Sequence, residues 1–237
     1  MFTRTRFFMI AVSFIAMAIG PQFAFSTVTI DDFKTGTTGR IRHVCGVRTY
    51  IQRGLMVGGT RLTHMTINEP PLCLGGNPYR QTASLQVRKE GMLLLNNDYG
   101  VHARLDMRYG QDKSGANAPL NLDLTEGSLN DRIRLTFKGN DLYKNSQITV
   151  YMHDGTSRSS CGFYVPPMTD NIPFTMDFPF SIFNVEPALG PSDYTDVDYI
   201  SLMFQSGSAI GSNDLALTSV VATNGASPAT ILLSSCS

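Results

Sequence analysis

The sequence predicts an all-β fold, a sandwich or barrel of short strands. Three observations carry this. Apolar and polar residues alternate with period two along most of the chain, as in VHARLDMRYG at 101–110. There Val101, Ala103, Leu105, Met107 and Tyr109 form one set, and His102, Arg104, Asp106 and Arg108 the other. No stretch of a dozen residues holds an apolar stripe at helical spacing. The alternating segments are short and separated by turn residues.

In chain order, TVTIDDF at 27–33 is the first strand candidate. GRIRHVCGVRTYIQ follows as one long strand with Ile41, His43, Cys45, Val47, Thr49 and Ile51 on a single face. TRLTHMTI covers 60–67, while ASLQVR at 83–88 and MLLLNN at 92–97 flank Gly91. After the segment at 101–109, DRIRLTFK at 131–138 turns Ile133, Leu135 and Phe137 inward, and QITVYMHD at 147–154 turns Ile148, Val150 and Met152 inward. CGFYV, IPFTMDF, VDYISLMF and DLALTSVVA complete the set. The last of these is the expected partner of the first strand, TVTIDDF.

Residues 166–191 contain Pro166, Pro167, Pro173, Pro179, Pro187 and Pro191, a linker-like density. They also contain Phe174, Phe178, Phe180 and Phe183, too apolar for a free linker. The 46 residues that follow are few for a separate core. The stretch therefore reads as a packed connection over one end of a single domain covering 27–237.

The start of the chain points to export. Arg4 and Arg6 precede fourteen uncharged residues, FFMIAVSFIAMAIG, and Ala24 and Ser26 give a small-x-small site before Thr27. This is the pattern of a signal peptide over 1–26. The apolar run is shorter than the roughly 20 residues that span a bilayer, and no later run suits a membrane span. The expected location is periplasmic or secreted. Removing the leader takes the 19 basic residues to 17 against 19 acidic ones. No basic excess remains to neutralise phosphates, which excludes nucleic acid as a partner class. All four cysteines, Cys45, Cys73, Cys161 and Cys236, lie after the leader. In an exported chain they are expected to form disulfides. The preferred pairing is Cys45–Cys73 and Cys161–Cys236, because each closes a loop-rich segment. Their wide spacing does not fit the close pairs of a zinc site.

Four short pieces carry a resemblance: Ile30-Asp31-Asp32-Phe33, Gly58-Gly59-Thr60-Arg61, the segment Tyr194 to Ile200, and Asp214 to Leu217. Together they resemble exported bacterial jelly-roll domains of the galactose-binding-like and carbohydrate-binding-module type. The resemblance implies a two-sheet antiparallel jelly-roll β-sandwich and points to glycan recognition.

The polar faces are the places for a ligand. One set is Arg42, Arg48 and Tyr50; the second is His102, Arg104, Asp106 and Arg108; the third is Thr149, Tyr151 and His153. Of these, Arg48, Tyr50, His102, Arg104, Asp106, Arg108, Tyr151 and His153 are the candidate ligand-binding residues. Arginines suit acidic sugars through bidentate contacts to carboxylates. The chain has no Trp, so any ring stacking falls to its nine tyrosines. The same alternation also describes a sheet with one face in water.

The leading functional reading is carbohydrate recognition without catalysis; the alternative is a structural or protein-interaction module. A second alternative is a jelly-roll polysaccharide lyase, whose Tyr or His base and Arg neutraliser types are present. It lacks an R-x-E-x-R strand. No G-x-S-x-G elbow is present, and no pair of well-placed carboxylates marks a glycosidase. No catalytic residue is assigned. A structural calcium is the one cofactor expectation, with Asp31, Asp32 and Asp214 tying the first strand to the last.

Overall fold

The computed structural model describes residues 27–67, 82–141, 146–165, 172–185, 190–206, 213–225, 230–232 and 235–236. The expected leader, 1–26, lies outside the described residues. The strands are β1 (Thr27–Asp31), β2 (Ile41–His43), β3 (Gly46–Arg53), β4 (Thr60–Ile67) and β5 (Ala83–Arg88). There follow β6 (Met92–Asn97), β7 (Ala103–Tyr109), β8 (Arg132–Asp141), β9 (Gln147–His153) and β10 (Arg158–Tyr164). The chain ends with β11 (Phe174–Pro179), β12 (Asn184–Val185), β13 (Tyr199–Gln205), β14 (Asn213–Thr223) and β15 (Thr230–Leu232).

They build the predicted β-sandwich. One sheet runs β15-β11-β8-β14-β6-β5-β2, with β1 added on β14. The other runs β12-β10-β9-β13-β7-β4-β3. Every strand pair is antiparallel except β11 with β15. The inner faces meet in one apolar core. Leu105 and Met107 of β7, Val150 and Met152 of β9 and Ile200 and Leu202 of β13 face Leu135 and Phe137 of β8, Met176 and Phe178 of β11 and Leu93 of β6. Period two sends each of these sets to one side of its sheet.

β14 departs from strict alternation for a visible reason. Its inward residues are Leu215 and Leu217, then Val220 and Ala222. The phase slips where the register against β8 shifts, between Leu217 and Ser219. This bulge lets one long strand serve two neighbours on the same side. Leu215 to Leu217 pair with β6, and Val220 to Thr223 pair with β1. The expected pairing of the DLALTSVVA strand with the first strand is thus present.

The single strand expected over 39–52 is two strands in different sheets. β2 pairs with β5, and β3 pairs with β4. Gly46, at φ +80°, starts β3 immediately after the crossing. A left-handed backbone there suits glycine and breaks the alternation that the sequence suggested. Val47 and Ile51, expected on one face with Ile41 and His43, are exposed on the outer side of an edge strand, whereas His43 is buried. Within the proline-rich stretch the expected IPFTMDF strand is present as β11, Phe174 to Pro179, inside the sheet. Phe178 and Phe183 are buried, and Phe180 stacks on Tyr194 with ring centres 4.6 Å apart.

Cys161 on β10 is bonded to Cys236 across a sequence separation of 75 residues. This tie restrains the chain's far end and removes freedom from the unfolded chain. Cys45 is also disulfide-bonded; Cys73 lies outside the described residues.

A polar cluster lies buried between the sheets. Arg61 on β4 and Asp31 on β1 are both inaccessible to solvent and form an ion pair through Nη1 and Oδ2. Arg61 Nε donates to Gln52 Oε1 at 2.7 Å, and Nη2 donates to the Gly36 carbonyl at 3.1 Å. The Tyr109 hydroxyl donates to Asp31 Oδ2 at 2.9 Å, and the Phe33 N–H donates to Oδ1 at 2.8 Å. The guanidinium also lies 5.1 Å from the Phe33 ring centre. Removing one member of such a pair strands the other charge. Arg61→Met is therefore expected to destabilise the fold by about 3–5 kcal/mol in urea unfolding, with Asp31→Leu in the same chain recovering much of it. A loss under about 1 kcal/mol in the single variant would show that the pair carries little net weight.

Candidate functional site

The outer face of the seven-stranded sheet carries a cleft of about 520 Å³. Strand register explains which side chains reach it. One row across the sheet runs Leu62, Arg108, Ser201, Tyr151, Ser160 and Asn184. The next places Tyr199, His153 and Arg158 side by side. Paired residues in an antiparallel sheet point to one face, so these polar groups are neighbours although they are distant in sequence.

Five of the sequence-predicted residues meet here: Arg104, Asp106 and Arg108 from β7, and Tyr151 and His153 from β9. Arg108 reaches back two residues to Asp106, with Nε and Nη2 donating to Oδ2 at 2.8 and 2.6 Å. Ser201 Oγ donates to Oδ1 of the same carboxylate at 2.5 Å. Asp106 is thereby buried and satisfied. Burial alone would weaken the Arg108 cation, but its bonds to Asp106 outweigh this and hold the proton more firmly. Burial raises the Tyr199 phenol above its usual value, so it stays neutral. His64, on the same face of β4, is held below its usual value by burial and by the Arg108 charge.

Other groups in the cleft are less fully engaged. Arg104 is half exposed and stands 3.9 Å from Asp106, and it has no other carboxylate within ion-pair distance among the described residues. Arg158 lies over the Tyr151 ring at 4.6 Å. His153 Nδ1 accepts from the Gly155 N–H at 3.0 Å, so the neutral ring carries its proton on Nε2. Gln111 is buried, and its Oε1 has no partner. Asp198 also lines the cleft. At the end of β7, Gly110 at φ +93° packs so closely on β13's approach that a Cβ would collide with the Asp198 carbonyl oxygen. A side chain there would displace one wall.

The remaining predicted residues lie elsewhere. Arg48 and Tyr50 occupy β3 positions paired with Met65 and Thr63, on the opposite face of the sheet from the cleft. Arg42 belongs to β2 in the other sheet. His102 precedes β7 and does not line the cleft. The three carboxylates expected for calcium do not converge. Asp31 is engaged by Arg61, Tyr109 and the Phe33 N–H. Asp32 pairs with Lys34 at 3.1 Å. Asp214 lies opposite Asn96 on β14, six residues from the Val220 that faces Asp31, on the order of 20 Å along the strand. Among the described residues no group of three or more His, Cys, Asp or Glu side chains is placed to hold a metal ion.

Sequence reasoning missed Gln111, Arg158, Asp198 and Ser201 as lining residues. Arg158 had a signal: the alternation of CGFYV extends backward through Arg158, Ser159 and Ser160. The stretch Asp193 to Asp198 contains a turn in which the Thr195 N–H and hydroxyl donate to Asp193 Oδ1 at 2.8 and 2.7 Å.

No protein-family model matches the chain, and no curated protein matches it. Among solved structures, it is similar to a family 11 carbohydrate-binding module from Clostridium thermocellum in complex with a β-1,3-1,4-mixed-linked tetrasaccharide. That likeness is 13% identity and TM-score 0.37 over 84% of this chain and 96% of that one. A family 29 carbohydrate-binding module from Piromyces equi matches at 11% identity and TM-score 0.32, over 88% and 93% of the two chains. An agarase matches at 12% identity and TM-score 0.42, over 84% of this chain and 25% of that one. Among the described residues, no helix is long and apolar enough to cross a membrane.

The cleft rim has its own acid-sensitive fastening. The Asp154 carboxyl is lowered from 3.8 to about 2. Burial works against this but is outweighed by N–H donors from Asp193, Ser157 and Thr156. The Asp193 N–H to Oδ2 bond, 2.6 Å, joins the loop after β9 to the approach to β13. A depressed carboxyl stabilises the fold fully above its unfolded value and loses that contribution as pH falls through the folded one. The Asp193 and Ser157 amide resonances are therefore expected to titrate with a midpoint of about 2. The shift should vanish in Asp154→Asn; a midpoint near the ordinary 3.8 would mean that the fastening is absent in solution.

Proposed function

We propose that this chain is an exported carbohydrate-recognition module without catalysis, and that the cleft on the outer face of the seven-stranded sheet is its binding site. The observation that carries the reading is the lining. A tyrosine ring backed by a guanidinium shares the lining with a buried Gln111 acceptor, unpartnered among the described residues, and with the Asp198 carboxylate. A sugar presents an apolar ring face and a rim of hydroxyls that both donate and accept. An aromatic surface takes the first, and amides, carboxylates and imidazole N–H groups take the second. The volume suits several sugar rings rather than one small metabolite.

The protonation of His153 supports binding over elimination. A lyase base needs a lone pair on the nitrogen that faces substrate. Here Nδ1 already accepts a backbone N–H, and Nε2 is the donor. Export is supported by the basic and apolar start of the chain and by the Cys161–Cys236 bond, which suits an oxidising compartment.

The test is a panel of soluble polysaccharides, read for binding and for new sugar ends together. Tyr151→Ala and Arg104→Ala are expected to weaken retention by about tenfold or more, about 1.4 kcal/mol. Arg104→Ala, a half-exposed change, should leave stability within about 0.5 kcal/mol. New ends would overturn the non-catalytic reading. No binding across the panel would favour a structural or protein-interaction role.

A further inference from the structure

The cleft distinguishes cations that are already neutralised from cations that are not. Arg108 is committed to Asp106 by two hydrogen bonds, and Ser201 closes the other carboxylate oxygen. Among the described residues Arg104 has only the 3.9 Å approach to that occupied carboxylate. Arg158 stacks on Tyr151 and has no carboxylate within ion-pair distance among the described residues. Against these two guanidiniums the lining sets, among the described residues, one carboxylate without an ion-pair partner, Asp198. The cleft therefore holds a net positive charge on planar forks that match carboxylates.

Register gives the spacing of these forks. Arg158 is level with Tyr199 of β13, and Arg104 is level with Gln205, six residues further along. That separation is on the order of 20 Å along the strands. β10 and β7 are three strand spacings apart in the sheet, about 14 Å. One sugar cannot meet both guanidiniums. A chain with a carboxylate on every residue meets both without depending on its register.

We infer that the cleft takes acidic polysaccharides of the polyuronate class, with Arg104 and Arg158 as the two carboxylate anchors and Tyr151 as the ring platform between them. This rests on the carbohydrate-recognition reading of the same cleft. Asp198, Gln111 and His153 Nε2 then face the hydroxyl edges, where a carboxylate is an acceptor rather than a repelling charge.

The experiment measures binding of the purified full chain to polygalacturonate and alginate. The comparators are fully methyl-esterified polygalacturonate, mixed-linked β-glucan and dextran sulfate. The acidic polymers are expected to bind at least about tenfold tighter than the esterified and neutral ones, because charged hydrogen bonds are stronger than neutral ones. Arg104→Gln and Arg158→Gln should each cost about tenfold on polygalacturonate and leave the melting temperature in place. Arg104→Lys and Arg158→Lys should recover only part, since an ammonium lacks the fork. Equal binding of esterified or neutral glycans would overturn the acidic preference while the binding site stands. Equal binding of dextran sulfate would reduce the effect to charge alone and overturn carboxylate recognition. No binding to any polymer would remove the carbohydrate reading itself.

Discussion

One buried ion pair ties the two sheets of the sandwich together. Asp31 and Arg61 belong to strands in opposite sheets, and neither reaches solvent. Two charges in a core are tolerated only when nearly every lone pair and proton is matched. Here both oxygens of Asp31 are bonded, and Arg61 donates to Asp31, Gln52 and the Gly36 carbonyl. The pair has directional demands that an apolar contact lacks, so it fixes how β1 sits over β4. Tyr109 extends the constraint to the end of β7, the strand whose other face forms part of the cleft.

β7 joins stability to the site. Its alternation sends Leu105, Met107 and Tyr109 into the core and Arg104, Asp106 and Arg108 outward. The inner residues hold the strand in register between β4 and β13. The outer residues inherit that rigidity. Asp106 is then locked by Arg108 and Ser201 in a position that no flexible loop would hold. A sheet face of this kind presents polar groups at set spacings with little ordering left to complete on binding.

The parts that alternation governs were legible. The strands from 60–67 through 214–222 match the sequence pattern closely, and the shared face of Arg104, Asp106 and Arg108 follows from period two. So did the grouping of Tyr151 with His153. What alternation does not encode is which strand lies beside which. The segment expected as one strand over 39–52 alternates in its letters but not in the fold, because it crosses between sheets at Gly46 and the letters carry no sign of a change of partner. The placement of Arg48 and Tyr50 away from the cleft has the same cause. Asp31 shows the limit for charges. Next to Asp32 it resembles a cation ligand, and only the fold reveals that Arg61, thirty residues later, supplies the positive charge. The Ile30–Phe33 and Gly58–Arg61 pieces are thus two halves of one structural tie.

The same distinction between engaged and open charges orders the cleft. The sequence displays Arg104, Asp106 and Arg108 as one alternating cluster of equal members. In the fold, Arg108 and Asp106 cancel and form the floor, whereas Arg104 stands half exposed at the side. Arg158 enters from β10, placed opposite His153 only by the pairing of that strand with β9. A cancelled pair shapes the surface but offers a ligand little net charge; an open guanidinium offers both charge and direction. Recognition by this face is accordingly set less by the number of its arginines than by which of them the protein has left without a carboxylate of its own.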